Sequence, residues 1–97
     1  MPDQADALQL LGAVEGQQGR HAQAVELLRR AVESAPDNAA AHNNLGNALA
    51  QLQRHAEALA CFDRSLALKP DNPKALRNRG NALRKLNRLP EALRDID

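Results

Sequence analysis

The stretch NNLGNAL runs from Asn43 to Leu49, and NRGNAL runs from Asn78 to Leu83. At a separation of 34 residues, Asn44 is in register with Asn78, Gly46 with Gly80 and Asn47 with Asn81. Asparagine and glycine both lower helix propensity, yet the surrounding residues are mostly alanine and leucine, which raise it. A sequence that repeats unfavourable residues at fixed positions has a reason to keep them there.

Working outward, the register extends over the chain. Aligning residues 36–63 with 70–97 gives 15 identities in 28 positions, and aligning 2–35 with 36–69 gives 12 in 34. The period is therefore 34, with repeats at about 2–35, 36–69 and 70–97, the last one truncated. A fixed period of this size marks a stacked repeat architecture, so residues 1–97 are expected to form a single array.

Each repeat reads as two helices. In the second, Asp37 and Asn38 offer N-cap oxygens, and His42, Leu45, Leu49 and Leu52 recur at helical spacing. Gln53-Arg54 marks a break, matched by Gly19-Arg20 and by Asn87-Arg88. Ala58, Leu59, Phe62 and Leu66 then form one face, and Pro70 follows as a stop. In the third repeat Asn72 is the cap and Pro73 the first helical residue. This predicts six helices, the last begun near Arg88 and unfinished at Asp97. Gly12, Gly46 and Gly80 fall mid-helix, where each costs about 1 kcal/mol relative to alanine. Close helix approach explains them, with Ala24, Ala58 and Ala92 as the expected facing partners.

Composition agrees with an all-α chain. It is 43% hydrophobic with a single aromatic residue, Phe62, so the core is built from alanine and leucine. Cys61 is alone and supports no disulfide framework. No basic segment followed by an apolar run opens the chain, and no apolar run approaches a membrane span. The expected setting is cytoplasmic, with no membrane partner.

Period 34, paired helices, Leu11-Gly12 and Leu45-Gly46, Ala24, Ala58 and Ala92, and Pro36 and Pro70 together resemble the tetratricopeptide repeat. The resemblance covers essentially the whole chain. It implies a right-handed superhelical α-solenoid of antiparallel helix pairs, whose first helices line a concave groove. The chain departs from the family pattern at its early tryptophan, here Leu8, His42 and Leu76, and at Arg79 and Glu15.

The asparagines fall where that groove is implied. Asn43, Asn44 and Asn47 neighbour one another on the side of their helix away from Leu45 and Leu49. The equivalent surface of the third repeat carries Lys74, Arg77, Asn78, Asn81, Arg84 and Lys85. An asparagine amide both donates and accepts, so a column of them suits the backbone of an extended peptide. The repeats are similar to those of O-linked N-acetylglucosamine transferase, which carries an asparagine ladder; Asn44 and Asn78 fall on the matching position and Leu10 interrupts it. Tetratricopeptide co-chaperones instead grip a C-terminal carboxylate. Asn44 and Lys74 match that clamp, while Gln9, Ala13 and Asn78 do not.

Net charge by repeat is −2, −1 and +4, so an acidic ligand segment is expected to prefer the third repeat. The partner is thus a protein or peptide. Nucleic acid is not expected, since aromatic platforms and a long basic stripe are missing. His21, His42, His55 and Cys61 have no metal-ligand spacing, and no phosphate loop or nucleophile motif occurs. No cofactor, metal or catalytic residue is expected. The incomplete third repeat suggests a piece of a longer array, with open ends able to pair as a homodimer. Two alternatives accompany the scaffold: an oligomerisation module, and a segment that recruits substrates for a larger transferase.

Overall fold

The computed structural model describes residues 4–95, with side chains through residue 87. Five helices follow one another: α1 (Gln4–Gln17), α2 (His21–Ser34), α3 (Ala39–Gln51), α4 (His55–Leu68) and α5 (Pro73–Asp95). No strand occurs among the described residues.

Local chemistry sets the boundaries. Asn38 Oδ1 accepts the Ala41 N–H at 3.2 Å and so caps α3. Asn72 Oδ1 accepts from the N–H groups of Lys74 and Ala75, at 3.0 and 3.4 Å, and Pro73 opens α5. The turn inside each of the first two pairs needs one left-handed residue. Gly19 supplies it at φ 82°, and Gln53 at φ 65° despite its side chain.

The helices stack as a two-layer solenoid. α1 pairs with α2 and α3 with α4, α2 packs on α3 and α4 on α5, and α1, α3 and α5 lie side by side. The main core joins Ala24, Val25 and Leu28 of α2, Leu45, Ala48 and Leu49 of α3, Ala58 and Phe62 of α4, and Ala82 of α5. Fully burying Leu28 or Phe62 contributes roughly 1.5–3 kcal/mol each. Ser65 is buried in the same region and donates to the Ala39 carbonyl at 2.9 Å, so its hydroxyl is satisfied.

Two expectations are corrected here. The glycines face bulky residues, not alanines. A Cβ at Gly12 would lie 2.6 Å from Leu28 Cγ, and one at Gly46 would lie 2.5 Å from Phe62 Cε1. Each glycine is a notch that seats the large side chain sixteen positions on. At Gly80 nothing lies within 4 Å of that point, so the third notch is empty among the described residues. The expected break at Asn87-Arg88 is also missing, because α5 continues to Asp95, and the described residues form five helices rather than six. The closed turns at Gly19 and Gln53 are held by Leu28 and Phe62 seated on the preceding helix. The matching position in the third repeat is Ile96, outside the described residues. Asn87 stays helical and its neighbours keep their backbone ladder. Ala92, the expected partner of Gly80, lies where no side chain is described.

Candidate functional site

α3 has neighbours on almost every side, and its open sector is narrow. It holds Ala40, Asn44, Asn47 and Gln51, all exposed or half-buried. The register positions on α5 are Lys74, Asn78, Asn81 and Lys85, again exposed or half-buried. On α1 they are Asp6, Leu10, Ala13 and Gln17, of which Leu10 is 64% exposed. Because α1, α3 and α5 lie side by side, these positions form one continuous surface. At α1 it carries the apolar Leu10 and Ala13 between Asp6 and Gln17; it is amide-rich at α3 and cationic at α5.

Of the nine residues singled out from the sequence, six lie on this surface: Asn44, Asn47, Lys74, Asn78, Asn81 and Lys85. Asn43 does not. It is only 6% exposed, and its Oδ1 accepts an N–H from Asn78 at 3.1 Å. A single helical wheel assumes one core, whereas α3 is packed by α1, α2, α4 and α5, and Asn43 falls on the side facing α5. Arg77 and Arg84 occupy the registers of Asn43 and Ala50, at the flank of α5. Both are exposed, and Arg84 donates to Asn81 Oδ1.

The asparagines are differently committed. Asn78 gives one N–H to Asn43 and keeps its Oδ1 and second N–H for another partner. Asn81 already accepts from Arg84. Lys74, Arg77 and Lys85 make no ion pair among the described residues, whereas Arg79 pairs with Asp63 at 2.5 Å and Arg20 with Glu15 at 3.3 Å. Those two pairs account for the departures at Arg79 and Glu15: each is a charged group held at the surface.

Two clefts open on this surface. The first, about 340 Å³, has Gly12, Ala13, Gly16, Ala24 and Leu28 as floor and walls, with Asn44, Asn47 and Gln51 along one rim. The second, about 270 Å³, is lined by Asn47, Ala50, Gln51, Phe62, Asn78, Asn81 and Lys85, among others. They are the same cleft one repeat apart. Ala13, Gly16, Leu28 and Gln51 of the first correspond to Asn47, Ala50, Phe62 and Lys85 of the second. Those exchanges make the second smaller and more polar. The wheel missed both clefts because each is built between helices; the signal that could have found them is Gly16, a glycine outside the repeated series.

The remaining titratable groups serve the fold, except that His21 also lines the first cleft and His55 the second. His42 Nε2 lies 2.8 Å from the Pro36 carbonyl and bridges α3 to the loop before it. His21 and His55 open α2 and α4. Glu57 accepts from Arg54 and Arg29, at 2.8 and 3.1 Å, and the Arg54 hydrogen bonds hold its carboxyl below the usual glutamate range. Burial pushes the Cys61 thiol up, opposite to what a reactive cysteine needs. No group of three metal-ligating side chains occurs among the described residues, and no described helix is long and apolar enough to cross a membrane.

Comparison with known proteins bears on the family and the fold. The family model described as tetratricopeptide repeat matches residues 10–73 and again 54–97. The second such domain of Spaghetti (RPAP3), solved bound to the HSP90 peptide SRMEEVD, is similar with a TM-score of 0.85 and 26% identity, covering 97% of this chain and 87% of that one. The first domain of human RPAP3 gives 0.82 and 27%, over 95% and 72%. A mutant of MamA gives 0.81 and 33%, over 95% and 67%. No curated protein sequence matches.

Proposed function

Because this chain belongs to the tetratricopeptide repeat family, we propose that it is a protein-interaction scaffold, with no reaction of its own, holding an extended peptide or partner helix along α1, α3 and α5. The observation that carries this is the amide row. Asn44 and Asn47 on α3, continued by Asn78 and Asn81 on α5, offer donors and acceptors along a surface that no strand or helix among the described residues covers. Lys74 and Lys85 bias the row towards an acidic ligand, with Arg77 and Arg84 adding to the field from the flank. A similar domain binds an acidic peptide, SRMEEVD. The gripping groups here differ from a full carboxylate clamp at Gln9, Ala13 and Asn78, so recognition along the ligand backbone is favoured over capture of its terminus. The setting is cytoplasmic.

The test is Asn44→Ala with Asn47→Ala, two residues whose side-chain amides make no hydrogen bond among the described residues. Capture of acidic peptides should fall by about tenfold or more, while the helical circular dichroism signal stays unchanged. Equal capture by the variant would remove the amide row from the function.

A second reading, self-association, rests on a different face. Leu11 and Val14 of α1 are 55% and 46% exposed, whereas their counterparts Leu45 and Ala48 are both 4% exposed. Sedimentation equilibrium of the parent and of Leu11→Glu tests it: a dimer abolished by the charge supports it, and a monomer at all concentrations removes it.

A further inference from the structure

We infer that the groove reads a short side-chain pattern, an apolar residue followed or preceded at three positions by an acidic one, on a peptide in polyproline-II conformation. This rests on the groove reading above and adds what the ligand must look like. The argument begins with the two clefts. They are related by one repeat, so a ligand crossing α1, α3 and α5 meets the same opening twice with different chemistry. The first cleft is floored by Gly12, Ala13, Gly16 and Leu28 and lies beside the exposed Leu10. That is a place for an aliphatic or aromatic side chain, since burying one there removes apolar surface on both partners from water. The second has Asn47 and Ala50 where the first has Ala13 and Gly16, and Lys85 where the first has Gln51. With Asn78 and Asn81 beside it, Lys85 suits a carboxylate.

The spacing selects the ligand conformation. Packed helices lie about 8–10 Å apart, so equivalent clefts recur at roughly that interval. A β-strand returns to the same face every two residues, at roughly 6.6 Å and then roughly 13 Å, and fits neither. A polyproline-II chain returns every three residues, at roughly 9 Å, and fits. It also leaves its backbone N–H and C=O groups without internal partners, which is what Asn44 and Asn78 need in order to pair with it.

The probes are fluorescein-labelled short peptides on a serine-alanine background. Leucine is placed at one position and glutamate two, three or four residues away, in both orders, with lysine and alanine controls. Fluorescence anisotropy should show one order of the three-residue spacing binding about tenfold tighter than the others. Gly16→Leu fills the first cleft; its Cβ meets only Ala24 Cβ, at 3.8 Å, an ordinary van der Waals contact, and circular dichroism checks that the helices are kept. It should remove the leucine preference while leaving the alanine control peptides unchanged, and Ala13→Leu should do the same. Lys85→Glu should invert the preference from glutamate to lysine. If peptides bind and Asn44→Ala weakens them, but spacing is immaterial and the cleft variants are neutral, the groove stands and the pattern is wrong. If peptides bind and Asn44→Ala changes nothing, the groove reading itself fails. Binding no better than the serine-alanine control overturns the inference outright.

Discussion

Asn78 on α5 donates to the buried Asn43 on α3 across 3.1 Å, thirty-five positions away in the chain. The bond joins two helices of the same layer and fixes the side chain that continues the amide row. One residue is therefore half structural, and its partner wholly so.

Removing Asn78 leaves the Asn43 oxygen buried without a donor, which costs roughly 1–3 kcal/mol. Asn78→Ala is thus expected to lower stability clearly, and Asn43→Ala with it to add little more. A double-mutant cycle in urea should give a coupling energy of about 0.5–1.5 kcal/mol; additive losses would mean the bond contributes nothing in solution.

The repeated glycines should respond with opposite signs to one substitution. Gly46→Ala drives a methyl into the Phe62 ring and should cost about 1–3 kcal/mol, despite the better helix propensity of alanine. Gly80→Ala meets no atom of the described residues and should gain roughly 0.5–1 kcal/mol. Thermal denaturation of the pair reads both. A loss at Gly80 would show that its notch is occupied.

Gln53 holds a left-handed backbone that Gly19 occupies without strain. Gln53→Gly should therefore stabilise the α3–α4 turn by about 1 kcal/mol, measured as a raised denaturation midpoint. No change would place the strain elsewhere in the turn.

Glu57 carries the pH prediction. Its folded carboxyl is held low by Arg54 first and by Arg29 after it. A depressed carboxylate contributes stability above its unfolded pKa, and that contribution is lost as the pH falls through the folded value. The group is exposed, so salt should erode the effect. In an NMR titration Glu57 should titrate below the ordinary glutamate value, and Arg54→Ala should raise its midpoint more than Arg29→Ala. Equal effects would assign the shift to net charge alone.

Much of this was legible in the sequence because repeats make register visible. Asn38 and Asn72 as caps, Pro73 as first helical residue and the break at Gly19 follow from local backbone chemistry, while the break at Gln53 follows from its register with Gly19. The burial of Asn43 was not legible, because it depends on a helix thirty residues later coming alongside. The same applies to the glycine partners: Gly12 and Gly46 announce close approach, but which side chain approaches is set by the crossing of two helices. The straight path through Asn87 defied its local turn signal, and no described side chain accounts for it.

α3 touches four other helices, while α1 and α5 each touch two. In an array whose units contact only their neighbours, such an imbalance grades the resistance to opening along the chain. Amide protons of Leu45 to Leu49 should exchange with solvent last, and those of α1 and α5 first. A ligand lying across all three helices would tie the quickly opening ends to the slow centre, so that occupancy of the groove would register as slower exchange at Leu8 and Ala75, buried residues outside both clefts.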